Sequence, residues 1–447
     1  MAGNKPIPPK PLSFPGGIHP AKDGKSLTEK KAVAAAPLFE RYVIPISQNV
    51  GAPPKVVVKV GDAVKKGDLL AEAAGFVSVP LHAPTSGVIS AIGEAPGPMG
   101  TLIPAIYLEA DGRDEWTDHR MAPLDWRTVE PSELKNRVRD AGIVGMGGAA
   151  FPTHVKLSPP PDKKVDTVIL NGAECEPYLT ADHRLMLEQP EKILIGAAIM
   201  ARALGVGNVF VGVEKNKPDA IDRLNELAGK YGVRVVGLKV QYPQGSEKQL
   251  IYALTGRCVP EGGLPMDAGC VVQNVATAAA ICDAVVSGVP LIERITTVTG
   301  TPLAEPGNFL VKIGTPVIKL VELAGGVTEE PRKLILGGPM MGFAQRSFEV
   351  PVAKNSSGVL LLAASEIVQY DSAGCMRCGM CLRGCPMHLS PGPLSMLIEN
   401  EKFDLAAQNH VMDCLECGAC AYACPAHRPL VQHMRRAKAE IRKRAKK

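Results

Sequence analysis

The middle of the chain alternates between short apolar runs and longer amphipathic segments. Apolar, β-branched runs at 164–170, 208–213 and 233–240 are separated by segments of helical periodicity at 191–204 and 217–230. This alternation predicts β-α-β-α-β units and a parallel sheet. Because ligands usually bind at the carboxyl ends of parallel strands, the loops after these strands are candidate binding loops.

The first 125 residues show shorter and more irregular runs. Residues 1–35 are rich in Pro, Gly and Lys and lack the apolar core of a signal peptide, so we expect an extended arm. From Tyr42 onward, short β runs surround two Gly-Asp turns, a pattern that resembles the flattened barrel of biotinyl and lipoyl domains. Residues 69–85 contain no lysine, so a carrier domain would lack its attachment amine, and we interpret the barrel as a scaffold.

The amino-acid composition excludes several classes of protein. The 447 residues are 46% apolar and 21% charged, which is enough for several buried cores. A net charge of +5 is too small to indicate nucleic-acid binding. No stretch of apolar residues is long enough to span a membrane, so we expect a chain that is soluble by itself and lies in a reducing compartment.

Two cysteine motifs near the carboxyl end carry the strongest chemical signal. Residues 375–386 and 414–425 both read C-x2-C-x2-C-x3-C-P, the spacing of bacterial [4Fe–4S] proteins, in which the fourth cysteine binds the other cluster. Zinc sites usually combine two separated C-x2-C pairs, and disulfide frameworks occur in small secreted domains, so iron–sulfur is favoured. One predicted cluster is bound by Cys375, Cys378, Cys381 and Cys424, and the other by Cys414, Cys417, Cys420 and Cys385.

A glycine-rich loop is the second signal. Residues 142–148 contain four glycines, which leave backbone N–H groups uncovered in front of the next predicted helix. Such a loop can bind a phosphate, and Lys156 follows at a suitable distance. Polar loops at 171–177 and 242–248 follow predicted strands and complete the candidate site.

These loops resemble the NADH-oxidising flavoprotein subunits of respiratory complex I and related hydrogenases. Residues 145–156 are similar to their flavin loop, and 171–177 match their Asn-x-x-Glu-x-Glu-Pro stretch. Residues 245–247 stand where that family has Gly-Glu-Glu, and 272–277 match its Val-Asn-Asn-Val-Glu-Thr. The chain differs from that family in having Met146 in place of an arginine and Ser246 in place of an acid.

Over nearly its whole length the chain resembles the C subunits of the Rnf complexes, the ion-translocating ferredoxin:NAD oxidoreductases. The resemblance implies FMN in the glycine-rich loop and NADH stacked over the flavin. It places Gly145, Gly147 and Lys156 on the phosphate side, Asn171, Glu174, Gly245, Asn274 and Thr277 around the flavin, and Phe151 and Glu176 beside the nicotinamide.

The implied fold is a multidomain α+β chain. We expect an arm (1–35), a lipoyl-like barrel-sandwich (36–125), a Rossmann-like NADH/FMN-binding α/β domain (126–288), a β-grasp, SLBB-like module (289–350), a helical two-cluster ferredoxin domain (365–430) and a basic tail (431–447). The tail has two interpretations, a solvated helix end or a contact with an anionic membrane face.

The implied function is electron transfer between NADH, through FMN, and two [4Fe–4S] clusters. The chain would be a peripheral subunit on the cytoplasmic side of the cell inner membrane, with membrane subunits and a ferredoxin-like iron–sulfur subunit as partners and no nucleic acid. Two alternatives remain open: an iron–sulfur wire without a working flavin site, and a soluble flavin–iron–sulfur partner of a hydrogenase or formate dehydrogenase.

Metal analysis tests the cysteine assignment. We expect the anaerobically purified protein to hold about eight irons and to absorb broadly in the visible region, because two cubanes each contain four irons. Iron, sulfide and zinc are measured on the same sample, and stoichiometric zinc without iron would contradict the assignment.

Overall fold

A computed structural model describes residues 12–367 and 371–445. Residues 1–11 of the expected arm and 446–447 of the expected tail therefore lie outside the described part of the chain. Besides the helices and strands given below, single 3-10 turns lie at Lys25–Leu27, Gly229–Tyr231, Pro265–Ala268, Ala364–Glu366 and Val411–Asp413.

The N-terminal region forms two small antiparallel sheets. One has the strand order β2-β8-β7-β4 and the other β3-β5-β6. Ile44, Leu70 and Ile106 are almost completely buried and belong to one apolar cluster of this region. The strands of these sheets are β2 (Arg41–Pro45), β3 (Lys55–Val56), β4 (Ala63–Val64), β5 (Leu69–Glu72), β6 (Leu81–His82), β7 (Gly87–Pro96) and β8 (Leu102–Ala110). They are preceded by β1 (Val33–Ala35), which pairs elsewhere.

A four-stranded parallel sheet follows, which confirms the β-α-β-α-β prediction. Its order is β11-β10-β9-β12, and all three pairings are parallel. Helix α1 begins at Pro131, and Glu130 is its N-cap. The elements are α1 (Pro131–Asp140), α2 (Thr153–Lys156), β9 (Thr167–Gly172), α3 (Ala181–Glu188), α4 (Pro190–Leu204), β10 (Asn208–Glu214), α5 (Pro218–Ala228), β11 (Arg234–Leu238), α6 (Glu247–Thr255), β12 (Cys270–Asn274) and α7 (Val275–Val286).

The third region is a mixed sheet of six strands in the order β1-β14-β13-β17-β15-β16. Strand β1 pairs in parallel with β14, so the N-terminal arm contributes an edge strand to this distant module. Val298, Leu320 and Val359 belong to its buried core. The elements are β13 (Glu293–Thr299), β14 (Gly307–Lys312), α8 (Val317–Leu323), β15 (Lys333–Leu336), β16 (Phe343–Gln345) and β17 (Gly358–Leu362).

The C-terminal region is helical, as the sequence predicted. Leu394, Phe403 and Met434 form part of its apolar core. None of the helices within 12–367 and 371–445 combines the length and apolarity needed to cross a bilayer. The helices are α9 (Met380–Gly384), α10 (Pro391–Glu399), α11 (Phe403–Gln408), α12 (Ala419–Tyr422) and α13 (Leu430–Ala445).

The basic helix α13 packs against its own domain. Four of its cations form ion pairs with carboxylates of this domain, which favours a structural role for these charges over contact with a membrane face. The pairs are Arg435–Glu416, Lys438–Glu416, Arg436–Glu401 and Arg444–Asp404.

The N-terminal arm runs between the parallel-sheet domain and the C-terminal domain. Leu12 forms a bridge to Leu238, and the Ile18 N–H donates to the Tyr242 carbonyl at 2.8 Å. On the other side, the Gly17 N–H donates to the Gly384 carbonyl at 3.2 Å. The arm therefore links the two domains by backbone hydrogen bonds.

Helices α4 and α7 pack closely at Gly196, which generates a stability prediction. A Cβ at this position would lie 1.9 Å from the Ala278 carbonyl oxygen. We expect Gly196→Ala to lower the free energy of unfolding by about 1–3 kcal/mol, because backbone must move to admit the methyl group. Thermal unfolding followed by circular dichroism measures the effect.

The matched control is Gly207→Ala, where an added Cβ would meet no atom within 4 Å. We expect this variant to unfold near the wild-type temperature. Equal melting temperatures for the two variants would contradict the packing argument.

Candidate cofactor and cluster sites

The carboxyl ends of β9 and β12 bring two predicted site residues together. Asn171 and Asn274 are aligned across this strand pair, although they are about a hundred positions apart in the sequence. The Asn171 side-chain amide donates to the Gly245 carbonyl at 2.7 Å, so the third predicted loop meets the same edge. The structure therefore gathers the loops that the sequence singled out.

The glycine-rich loop between α1 and α2 is held by buried groups. The Met146 N–H donates to Thr277 Oγ1 at 2.9 Å, and the guanidinium of Arg294 donates to the Met146 carbonyl at 3.3 Å. Thr277 and Arg294 are both buried. Burial lowers the pKa of Arg294 to about 10, and the nearby Asp182 carboxylate opposes this shift.

Gly147 lies against the cap of α7. A Cβ on Gly147 would lie 2.7 Å from Asn274 Nδ2, so only glycine fits here without a shift. Asn274 Oδ1 accepts the Ala276 N–H at 2.7 Å, and its Nδ2 donates to Asp182 Oδ2 at 2.7 Å. Burial and then the Glu174 charge raise the pKa of Asp182 to about 7.

Lys156 faces the third loop. Its Nζ lies 2.7 Å from Glu247 Oε1 at the start of α6 and donates to the Val272 carbonyl at 3.1 Å. The ammonium group thus connects the end of α2 to the loop that contains Gly245. Phe151 is half-buried, and its carbonyl accepts the Gly145 N–H at 2.9 Å, which closes the glycine-rich loop.

The two predicted acids bind backbone N–H groups. Glu174 accepts the N–H groups of Asp182 and His183 at 2.7 and 3.1 Å and so caps α3. Glu176 accepts the N–H groups of Met340 and Met341 at 3.2 and 2.8 Å, in a turn of the six-stranded sheet module. The Glu176 carboxylate therefore fixes a contact between domains in this structure.

A buried lysine from the N-terminal arm supports the loop between these acids. Lys25 Nζ donates to the carbonyls of Glu174 and Glu176, each at 3.0 Å, and to that of Leu179. Burial lowers the pKa of Lys25. Sequence reasoning missed Lys25, Asp182 and Arg294, because none of them lies in a recognisable motif.

The residues present fit a bound flavin. A Cβ at Gly148 would meet no atom within 4 Å, so space is open above the glycine-rich loop. In the loop at 242–248, the buried side-chain amide of Gln244 has no hydrogen-bond partner among the described residues. Open space and an unpaired amide suit a group with polar ring edges, such as an isoalloxazine.

The two cysteine motifs share one backbone conformation. Arg377 and Glu416 occupy the same motif position and both have φ 57°, in the left-handed region. The following glycines, Gly379 and Gly418, have φ 75° and 83°. These turns direct N–H groups toward sulfur, as where the Glu416 N–H donates to Cys414 Sγ at 3.3 Å. Donors of this kind suit thiolates that bind a cluster.

The structure brings the cysteines together in the crossed arrangement for one of the predicted sets. A cavity is lined by the four cysteines Cys385, Cys414, Cys417 and Cys420. Burial raises the pKa of Cys417 to about 11, and the charges of Cys414 and Cys385 add to the shift. Their shared cavity suits a cluster, which would hold the four thiols as thiolates.

The members of the other set lie nearer the surface. Burial raises the pKa of Cys381, and the charges of Cys424 and Cys375 act in the same direction, so these three thiols are neighbours. Cys375 and Cys378 are exposed, whereas Cys385, Cys417 and Cys420 are buried.

We call Cys385, Cys414, Cys417 and Cys420 the buried set, since three of these four cysteines are buried. Tyr242 joins this set to the parallel-sheet domain. Its hydroxyl donates to the Cys417 carbonyl at 2.7 Å, and its ring packs in one apolar cluster with Cys175 and Cys417. The amide of Gln249 on α6 donates to the Pro386 carbonyl at 3.0 Å. The buried set therefore lies beside the loops of the candidate flavin site.

Known proteins are similar over almost the whole chain. The C subunit of the proton-translocating ferredoxin:NAD(+) oxidoreductase complex of Clostridium ljungdahlii is 50% identical over 96% of this chain and 94% of its own length. The C subunit of the Na(+)-translocating complex of Acetobacterium woodii is 45% identical over 96% and 97%. The chain belongs to the family of C subunits of the ion-translocating ferredoxin:NAD(+) oxidoreductases. The resemblance seen in the sequence is thereby confirmed.

Four family models match successive parts of this family member. They are the RnfC barrel sandwich hybrid domain (12–113), the Nuo51 FMN-binding domain (138–283), the SLBB domain (295–344) and the 4Fe-4S dicluster domain (367–440). The expected set and order of domains is confirmed, whereas the individual domain boundaries and site residues stay predictions.

Two solved structures share the fold. They are crystal structures of an NAD+-reducing [NiFe]-hydrogenase in the H2-reduced and air-oxidized states, with TM-scores of 0.50 and identities of 18% and 19%. Each match covers 71% of this chain and 66% of the hydrogenase chain.

The pKa of Glu176 generates a pH prediction. Burial raises this pKa to about 7, against the opposing effect of the Met340 and Met341 N–H groups. A carboxyl group whose pKa is raised by folding contributes most to the free energy of unfolding below its unfolded pKa. This contribution is lost as the pH rises through the folded pKa of about 7. Between pH 5 and 8 we expect the free energy of unfolding of the wild type to fall by at most about 3 kcal/mol through this ionisation. Glu176→Gln should not show this fall.

Melting temperatures of the wild type and the variant across this range measure the effect. Glu330→Gln, which changes an exposed carboxylate, controls for the general pH response. A difference between Glu176→Gln and the wild type that is the same at pH 5 and pH 8 would contradict the prediction.

Proposed function

We propose that this chain carries electrons between NAD(H) and two [4Fe–4S] clusters, with FMN in the glycine-lined site between them. The observation that carries the proposal is the Tyr242 contact, which joins the loops of the candidate flavin site to the turn of Cys417. The names of the relatives describe ferredoxin:NAD(+) oxidoreductase complexes, which supports a route for electrons between NAD(H) and iron–sulfur carriers.

The proposed flavin site uses the residues that the sequence singled out. When bound, FMN takes up a hydride equivalent from NADH and releases electrons singly. Gly145, Gly147 and Lys156 would hold the phosphate side, and Asn171, Gly245, Asn274 and Thr277 would line the ring. Glu174 and Glu176 would act by fixing α3 and the Met340 turn, which supports their inclusion in the site as positioning residues.

The proposed cluster sites differ in their surroundings. The buried set of Cys385, Cys414, Cys417 and Cys420 lies on the side of the flavin-type domain, through Tyr242 and Gln249. The set of Cys375, Cys378, Cys381 and Cys424 includes two exposed thiols. We therefore assign the buried set to exchange with the flavin and the exposed set to exchange with a partner.

The proposed setting is a membrane complex. The relatives are named as subunits of ion-translocating complexes, which supports attachment of this chain to membrane subunits. We place it as a peripheral subunit at the cytoplasmic side of the inner membrane. A ferredoxin-like subunit is the proposed iron–sulfur partner. The chain would then act as the NAD(H)-facing subunit of an oxidoreductase.

A spectroscopic experiment tests this function. NADH is added anaerobically to the iron-loaded full-length chain, with and without FMN, and cluster bleaching is followed in the visible region. We expect bleaching that depends on FMN. Thr277→Val should weaken FMN binding roughly tenfold, because the Met146 N–H would lose its buried acceptor.

Thr277→Ser is the matched control, since it keeps the hydroxyl group that accepts this hydrogen bond. We expect its FMN affinity to stay near that of the wild type. Equal bleaching in the absence of FMN, or equal FMN affinity of the Val and Ser variants, would contradict the proposed site.

A further inference from the structure

The two cysteine motifs have the same backbone but different surroundings. In the second motif, Glu416 forms ion pairs with Arg435 at 3.1 Å and Lys438 at 2.6 Å, both from α13. Lys438 also donates to the Cys414 carbonyl at 2.9 Å. The basic helix thus covers one side of this motif.

Another segment covers the glycine of the second motif. A Cβ on Gly418 would lie 3.2 Å from the Met340 carbonyl oxygen, which belongs to the six-stranded sheet module. At the equivalent Gly379 of the first motif, a Cβ would meet no atom within 4 Å. The same position is therefore covered in one motif and open in the other.

The charge at the equivalent position is reversed. Arg377 stands where the second motif has Glu416, and its side chain is exposed. Within residues 12–367 and 371–445, neither Arg377 nor the nearby Arg383 forms a salt bridge. The first motif thus has an uncovered cation at the place where the second has a covered anion.

Large apolar side chains surround these cations. Met376, Met380 and Leu382 are 61%, 42% and 49% exposed. We define the Cys375 rim as the five exposed side chains of this motif other than its cysteines, namely Met376, Arg377, Met380, Leu382 and Arg383.

The composition of the rim is typical of a protein interface. Methionine and arginine are enriched at interfaces relative to the rest of a protein surface, and persistent interfaces are more apolar than those of transient carriers. Three large apolar side chains beside exposed cluster ligands therefore favour a partner that stays bound over one that only collides.

We propose that the Cys375 rim is the docking surface for an iron–sulfur domain of another subunit of the same complex, which presents carboxylates to Arg377 and Arg383. This inference rests on the proposed function. The partner would cover the first motif as α13 covers the second, with the charges reversed. The Cys375 set would then lie at the boundary between the two proteins.

Two variants test the surface by copying the second motif. Arg377→Glu introduces the residue found at position 416, which tolerates the same positive φ. The double variant Met380→Ala and Leu382→Ala introduces the alanines found at 419 and 421. Because the second motif folds with these residues, both variants should keep about eight irons and their NADH-dependent bleaching.

Affinity purification of the whole detergent-solubilised complex through a tag on this chain provides the readout. Quantitative mass spectrometry measures each co-purifying subunit at low and moderate salt. We expect the recovery of an iron–sulfur subunit to fall roughly tenfold in both variants. Truncating or reversing a central interface side chain commonly weakens binding by about this factor. Arg346→Glu, and Met99→Ala with Leu102→Ala, are the controls, since they change exposed side chains of other domains.

Two outcomes would overturn the proposal. One is wild-type recovery of every subunit in both variants. If these variants also exchange electrons more slowly with a free acidic two-cluster ferredoxin, the rim is a site for a diffusing carrier. The other is loss of a subunit that carries no iron–sulfur cluster. If the wild type shows no bleaching by NADH, the proposed function fails, and the recovery of subunits still reports on the surface.

Discussion

The buried hydrogen bond from Tyr242 to the Cys417 carbonyl is the interaction on which the arrangement of this chain depends. It joins the loop after β11 to the turn that contains Cys417, a predicted cluster ligand, so two domains share one packed core. The arm strengthens this junction, since a Cβ at Gly16 would lie 2.7 Å from the Cys385 carbonyl oxygen. Electron exchange needs short, fixed distances between the groups that carry the electrons, and a packed junction between domains maintains such distances.

Buried lysines hold loops of the candidate flavin domain and of the barrel. Lys25 binds carbonyls of the loop between Glu174 and Leu179, and Lys354 donates to the carbonyls of Pro80 and Gly142 at 3.0 and 2.7 Å. Burial lowers the pKa of Lys354 to about 7, which shows the cost of placing an ammonium group there. Several carbonyl partners offset this cost and hold the loops in one conformation, as a preorganised site requires.

The candidate site was predictable where its residues follow strand ends or lie in glycine-rich loops. Asn171, Gly147 and Asn274 meet at one edge because parallel strands place their carboxyl ends together. The role of Glu176 was not predictable in this way, since its partners Met340 and Met341 belong to another domain. Asp182 and Arg294 were missed, because a buried charge that fixes a loop has no local sequence signature.

The sequence by itself determined the parallel sheet and the two cysteine turns, because periodicity and spacing act between neighbours in the chain. The spacing also predicted that Cys385 joins Cys414, Cys417 and Cys420, and these four cysteines do line one cavity. Only the tertiary structure decided that the second motif is covered and the first is open. Those outcomes depend on α13 and the Met340 turn, and contacts between segments so far apart in the chain exist only once the domains have packed together.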